Sequence, residues 1–228
     1  MRLRTFLVTY ARAVRGRVRE HGARGVLAFL ADGLRAQLHK QNTELVLVKP
    51  LDRIAVPLRR GDVRVEPLER RHLPALRELN RERGDLDGDA RFAADLDAGH
   101  GGFVGFKDGQ LVACYWWVDA TMPPHRDMRT LGLGIELAQR DVYGYDLYVH
   151  KGHRAHGTSN DFLFQVETAL RERGFERLWG YVAAENRVAR WTYEARGYQP
   201  RWAVQRTRVL RRWNNRIVPF EASGRGAA

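Results

Sequence analysis

Apolar residues along this chain change their spacing several times, and each change marks an element. Leu3, Phe6, Leu7, Tyr10, Ala11, Val14 and Val18 recur at helical spacing, with Arg4, Arg12, Arg15 and Arg19 mostly elsewhere around the wheel. Gly22 and Gly25 interrupt that pattern, and Val26, Phe29, Leu30, Leu34 and Leu38 predict a second amphipathic helix. Leu45–Val46–Leu47–Val48 reads as a short buried strand or a pairing edge, and Pro50, Pro57 and Arg59–Arg60–Gly61 as a linker. The main domain is expected over residues 61–210, opening on the alternating Val63–Arg64–Val65. Residues 1–60 then form a basic helical extension with a short strand and linker, and residues 211–228 a basic tail.

Within the main domain, Leu73, Leu76 and Leu79 with charges between them predict a surface helix. Phe103–Val104–Gly105–Phe106 and Leu111–Val118 flank Lys107–Asp108–Gly109, a hairpin signal. Met122–Pro123–Pro124–His125 reads as a loop, followed by Leu131–Leu137 and a strand over Val142–Val149. Phe162, Leu163, Val166 and Leu170 predict a helix after Gly157 that Gly174 can end. A strand at Leu178–Val182, a helix at Arg187–Arg196 and strand character at Trp202–Val204 and Thr207–Leu210 complete the order. Helices alternating with strands around one hairpin predict an α/β fold with a mixed sheet covered by helices.

Composition narrows the class. The chain has 228 residues, 44% of them hydrophobic and 10% aromatic, as expected of a globular domain with an extension. No apolar run is long enough to cross a bilayer, and Phe6–Leu7–Val8 is too short for a signal-peptide core. The single cysteine, Cys114, has no disulfide partner, which points to a reducing cytoplasm. The net charge of +12 is carried by the ends, +7 in residues 1–40 and +6 in residues 201–228, leaving the middle near neutrality. Basic ends suit nucleic acid, an anionic membrane or an acidic partner. With only four lysines, however, the excess is an arginine bias of the kind GC-rich bacterial genomes impose. The two N-terminal helices are expected to dock on the neighbouring domain or on a second copy in a homodimer, rather than to lie on a membrane.

The chemistry concentrates in Tyr145–Ser159, an apolar strand running into a turn of glycines and basic residues and then a helix start. That order aims backbone N–H groups, a helix N-terminus and cationic side chains at one spot, which suits phosphate. The turn is neither a G-x-G-x-x-G fingerprint nor a P-loop. His150, His153 and His156 crowd it without a cysteine, which favours a phosphate-facing role over zinc. Asp85–Leu86–Asp87–Gly88–Asp89 lacks the spacing and twelfth-position glutamate of a calcium loop.

Arg154-x-x-Gly157-x-Ser159 is close to [QR]-x-x-G-x-[GA], and Asn186-x-x-Ala189-x-x-x-Tyr193-x-x-x-Gly197-Tyr198 follows in the matching order. Together they resemble the GNAT superfamily of acyl-CoA-dependent N-acyltransferases over roughly residues 62–210. The resemblance implies a largely antiparallel central sheet in which one parallel pair splays to admit CoA. It implies that acetyl-CoA is held by backbone at Leu147 and Val149, by the Arg154–Ala155–His156–Gly157–Thr158–Ser159 turn, and by Asn186. Ser159 departs from the usual Gly or Ala, and Asp161 places a negative charge in the first helical turn, where it would repel a pyrophosphate.

Tyr193 either covers the sheet edge or gives a proton to a departing thiolate. A phenol with a free pKa of about 10 stays protonated at neutral pH and can do the latter. A carboxylate near the fourth strand is often the base in this family. Asp146, Asp141 and Glu136 are the candidates, and a carboxylate among aromatic neighbours has a raised pKa. Trp116, Trp117, Tyr143 and Tyr145 line an acceptor pocket or fill the core. The expected activity is N-acetyl transfer to a primary amine, on a small molecule or a protein, by direct attack in a ternary complex. The alternatives are a non-catalytic scaffold with basic termini, and transfer from a longer acyl-CoA or an acyl carrier protein.

Overall fold

The computed structural model describes residues 39–57, 62–85, 87–154, 157–209 and 212–220. The two N-terminal helices expected before residue 38, together with Ala155, His156 and the last eight residues, lie outside that set. The chain divides into two compact units, residues 43–204 with 216–228, and residues 1–42 with 205–215. Eight strands form one sheet in the order β2-β3-β4-β5-β6-β1-β7-β8. Their bounds are β1 His39–Pro50, β2 Arg64–Pro67, β3 Gly101–Lys107, β4 Gln110–Asp119, β5 Asp141–Val149, β6 Arg177–Ala183, β7 Gln199–Val209 and β8 Arg212–Pro219. The helices are α1 Leu73–Arg83, α2 Gly88–Asp97, α3 Arg126–Thr130, α4 Thr158–Glu172 and α5 Arg187–Ala195. The expected mixed α/β sheet is therefore present.

Several elements follow directly from local chemistry. Asp108 and Gly109 both have positive φ, 51° and 76°, the backbone a two-residue hairpin between β3 and β4 demands. Gly84, at φ 77°, closes α1, and Gly174, at φ 91°, follows the end of α4. Three placements differ from the sequence expectation. The Leu45–Val48 run belongs to a twelve-residue strand that pairs antiparallel with β6, Glu44 opposite Ala183 through Pro50 opposite Arg177. Its four apolar residues are contiguous because both faces are covered: Leu45 and Leu47 enter one core, Val46 and Val48 the other. Residues 212–219, expected in the tail, form β8. Gly88–Asp97, to which no element was assigned from the sequence, is helical and anchored by buried Phe92.

The two faces of the larger unit have distinct coverings. On one, Leu45, Tyr115, Val142 and Leu178 pack with Phe162, Leu163, Val166 and Leu170 of α4. On the other, Trp116, Tyr143, Tyr145 and Trp179 pack with Leu76 and Leu79 of α1 and Phe92 of α2. Under α4 lies a buried charge triad. Glu167 receives Lys49 Nζ and a two-pronged contact from Arg196, whose Nη1 also donates to the Asn160 carbonyl at 3.1 Å. All three side chains are at most 4% exposed. Burial pushes the Lys49 pKa down, and the Glu167 carboxylate opposes that shift.

Two cations on one carboxylate make the partners unequal. Removing Glu167 leaves two unpaired buried charges, whereas removing Lys49 leaves an intact Arg–carboxylate fork. E167A is expected to lose about 3–5 kcal/mol in urea denaturation, and K49M to change stability by under ~1 kcal/mol. Equal losses for the two variants would show that the triad does not work this way.

Candidate active site

β5 and β6 run parallel but stay paired only at Asp141–Arg177, Val142–Leu178 and Tyr143–Trp179. Beyond Tyr143 the ladder ends and the two strands separate. On its other side β5 continues alongside β4, with a bulge: Trp116 faces Tyr145 and Cys114 faces Tyr148, leaving both Asp146 and Leu147 opposite Tyr115. Asp146 takes φ 52°, a left-handed backbone that costs a non-glycine residue roughly 1–2 kcal/mol. Gly144 sits where the separation starts. A methyl group there would overlap the Tyr115 hydroxyl, so glycine lets that phenol lie against the β5 backbone.

The separation opens a cavity of about 690 Å³, within the ~300–1,000 Å³ of typical ligand clefts. One wall is the whole run Gly144–Val149; others come from Tyr115, Leu163, Tyr181–Ala183 and the α5 face of Val188, Ala189, Thr192 and Tyr193. Of the residues singled out in the sequence, Leu147, Val149, Arg154, Ser159, Asn186, Tyr193, Tyr145 and Asp146 all line this one cavity. Arg154 Nε donates to the Val149 carbonyl at 2.9 Å and its guanidinium lies 5.2 Å from the Tyr148 ring centre, so it is held at the mouth. Gly157, at φ 84°, starts α4, and Thr158 behind it is buried. The Asn186 side chain accepts from Ala189 N–H at 3.1 Å, an N-cap on α5. Asp161 is buried in the first turn of α4, receives Gln165 Nε2 at 3.2 Å and is not among the cavity residues. His150 Nδ1 accepts from Gly152 N–H, and its ring meets that of His153 edge-on.

Tyr193 stands edge-on to Tyr198, ring centres 4.8 Å apart. Burial, and secondarily the Glu167 carboxylate, pushes its pKa up to about 12. Tyr115 and Tyr198 are pushed the same way, chiefly by burial. The cavity therefore offers protonated phenols at neutral pH. Cys114 offers no thiolate, since burial raises its pKa to about 12.

The three carboxylates expected as bases are placed less favourably. Asp146 lines the cavity, but Arg83 Nη1 reaches one of its oxygens at 3.0 Å and Arg91 Nη2 the other at 2.7 Å, both arginines also gripping Asp85. Its lone pairs serve the bulge. Asp141 is buried at the closed end of β5, taking Arg177 at 2.6 and 2.9 Å, Trp179 Nε1 at 3.1 Å and the Ala138 N–H. Glu136 is exposed on the loop before β5 and is not among the cavity residues. Trp116, Trp117 and Tyr143 are core residues, at most 5% exposed, and only Tyr145 of that aromatic set reaches the cavity.

Among the cavity residues that escaped the sequence reading are two phenols. Tyr115 sat unremarked just ahead of Trp116 and Trp117, and Tyr181, on the β6 face opposite α5, donates its hydroxyl to Asp127 Oδ2 at 3.1 Å. Beside them, His100 Nδ1 and the Tyr145 hydroxyl are 2.7 Å apart, and the His125 ring stacks on Tyr145 at 3.8 Å. Burial lowers the His125 pKa to about 4, which leaves it neutral at pH 7. The strand pattern at Leu178–Val182 was the available signal, but strand phase alone does not say which face is hollow.

Comparison with known proteins accords with this geometry. The model described as the acetyltransferase (GNAT) family matches residues 67–198, more than half of the chain. A functionally unknown conserved protein from Staphylococcus epidermidis superposes with a TM-score of 0.56 at 9% identity, covering 78% of this chain and 66% of its own. A glucosamine N-acetyltransferase region of a fungal multi-domain β-N-acetylglucosaminidase superposes with a TM-score of 0.55 at 14% identity, covering 82% of this chain and 23% of its own. At these identities the likeness is one of fold. No curated protein matches the chain in sequence. Because the matched segment takes in β5, β6 and the two helices that frame their open end, the chain belongs to the GNAT acetyltransferase family.

Proposed function

We propose that this protein is an acyl-CoA-dependent N-acyltransferase that moves an acetyl group from acetyl-CoA to a primary amine by direct attack. The observation that carries the reading is a single one. The unpaired stretch of β5, the start of α4, the cap of α5 and the Tyr193 phenol all border one cavity.

Acetyl-CoA supplies an activated acyl carbon on a thioester. The residues fit such a donor. Gly144–Val149 is a strand edge without its β6 partner, and an extended pantetheine arm can hydrogen-bond to it as another strand would. Arg154 and the N-terminus of α4 provide a cation and the positive end of a helix for a diphosphate. Tyr193 then holds a proton for the sulfur atom as the C–S bond breaks. The Cys114 thiol is buried and protonated, so the amine nitrogen, not an enzyme sulfur, attacks the carbonyl carbon.

The direct test incubates purified protein with acetyl-CoA and a panel of amines, reading free thiol and acetylated product. Thiol release that no amine stimulates would remove the proposal. Tyr193→Phe is expected to lower kcat about 100-fold while the CoA dissociation constant stays within about twofold, since a positioned general acid contributes ~10²–10⁴-fold. Unchanged turnover would return Tyr193 to the role of edge cover. Arg154→Ala is expected to weaken CoA binding about tenfold in calorimetry, the loss of one charge-assisted contact.

The raised Tyr193 pKa makes a pH prediction with a definite sign. The active form is the protonated phenol, present at all pH values below its pKa of about 12. kcat is therefore expected to show no falling limb from this group below about pH 10. A falling limb near pH 8–9 that disappears in Tyr193→Phe would contradict it.

A further inference from the structure

The acyl-transfer reading leaves the attacking amine's proton without a destination, and the inference here rests on that reading. Asp146 is bound by two arginines, Asp141 by Arg177 and Trp179, Glu167 by Lys49 and Arg196. Each of these carboxylates has its oxygens committed to structure. His125 accepts the Asp127 N–H at Nδ1 and is neutral, buried and stacked on Tyr145.

Tyr181 and Asp127 are arranged differently. Tyr181 lines the cavity from β6, and its hydroxyl proton already points to Asp127 Oδ2 at 3.1 Å. A phenol oxygen donating its own proton keeps two lone pairs for another donor. Asp127, on α3, is 28% exposed, so a proton delivered to it can pass to water. Its other close partners are the neutral His125 ring, with Nδ1 3.8 Å away, and the Arg126 guanidinium at 3.9 Å on the outer side. The route runs from the cavity, through one hydroxyl, to a carboxylate open to solvent.

We propose that Tyr181 and Asp127 form the proton exit for the acceptor amine. As the C–N bond forms, the nitrogen passes one proton to the Tyr181 oxygen, and Tyr181 passes its own to Asp127. The electron pair of the broken N–H bond stays on nitrogen and neutralises the ammonium that attack creates. The electron pair of the C–S bond leaves with sulfur, which takes the Tyr193 proton; solvent then reprotonates Tyr193 and accepts the proton held by Asp127. Tyr181 is thus the group that touches substrate, and Asp127 acts through it.

Charges around the Tyr181 phenol bear on its pH response from every side: Asp127 from α3, Glu44 from β1 and Asp146 from β5.

The test uses full-length protein with acetyl-CoA and four probe acceptors: glucosamine, spermidine, a peptide with a free N-terminus, and hydroxylamine, which is uncharged at neutral pH. Tyr181→Phe and Asp127→Asn are expected to lower kcat on whichever alkylamine reacts by about 30–100-fold, with KM and acetyl-CoA binding within about twofold. Asp127→Glu should recover most of the rate. With hydroxylamine the same variants should lose under about fivefold, because its adduct sheds a proton readily; a purely structural role would lower both acceptors alike. Circular dichroism melts identify any variant that fails to fold, and Asp127→Asn, partly exposed, keeps the test independent of Tyr181→Phe. Wild-type protein that releases no thiol above the protein-free rate with any of the four acceptors overturns the acyl-transfer reading and the relay with it. Wild-type turnover accompanied by unchanged kcat and pH profile in both variants overturns the relay alone.

Discussion

The carboxylate of Asp146 holds open the structure's working edge. Its backbone sits in a left-handed conformation that a non-glycine residue adopts at a cost, and the guanidiniums of Arg83 and Arg91 offset that cost from the far side of the strand. The bulge they hold turns β5 relative to β4 while β5 is already parting from β6. Without it, Leu147 and Val149 would keep the strand phase of Tyr143 and Tyr145, and a different set of groups would face the cleft. Asp85 completes the bracket by joining the same two arginines, so the α1–α2 connection and the bulge form one ionic unit.

A second constraint works from the opposite face. The Lys49–Glu167–Arg196 triad ties β1, α4 and the end of α5 together beneath the phenols of Tyr115, Tyr193 and Tyr198. Burial of those phenols raises their pKa values, so the site holds protons rather than releasing them. Asp141 does the complementary work at the closed end, where Arg177 and Trp179 pin the three paired residues from which the strands diverge. One end of the strand pair is clamped and the other is propped apart, which is why a cavity exists within an otherwise packed sheet.

This arrangement separates two environments across the sheet. The α4–α5 side presents Arg154, Ser159 and Asn186, groups suited to an anionic, extended donor. The α3 side presents Tyr145 and Tyr181, with Asp127 hydrogen-bonded behind the latter. Among the described residues no helix is long and apolar enough to cross a membrane.

How much of this was legible beforehand depends on whether the deciding force was local. Hairpin turns, helix stops and the strand-to-helix order that carries Leu147, Val149, Arg154 and Ser159 follow from backbone preference and periodicity, which neighbouring residues alone specify. The amphipathic face of α4 and the Asn186 cap are of the same kind. Tertiary structure decided what depends on partners far along the chain. Asp146, Asp141 and Glu136 are equivalent carboxylates in the sequence; only the approach of Arg83, Arg91 and Arg177 commits the first two to structure, and only the loop path leaves the third in solvent. Leu45–Val48 became a central strand because β6 and β7 flank β1. Tyr181 met its hydrogen-bond partner in Asp127, fifty-four residues earlier. Short-range sterics wrote the elements into the sequence, while the ionisation and exposure of each polar group were settled by long-range contacts that no window of sequence contains.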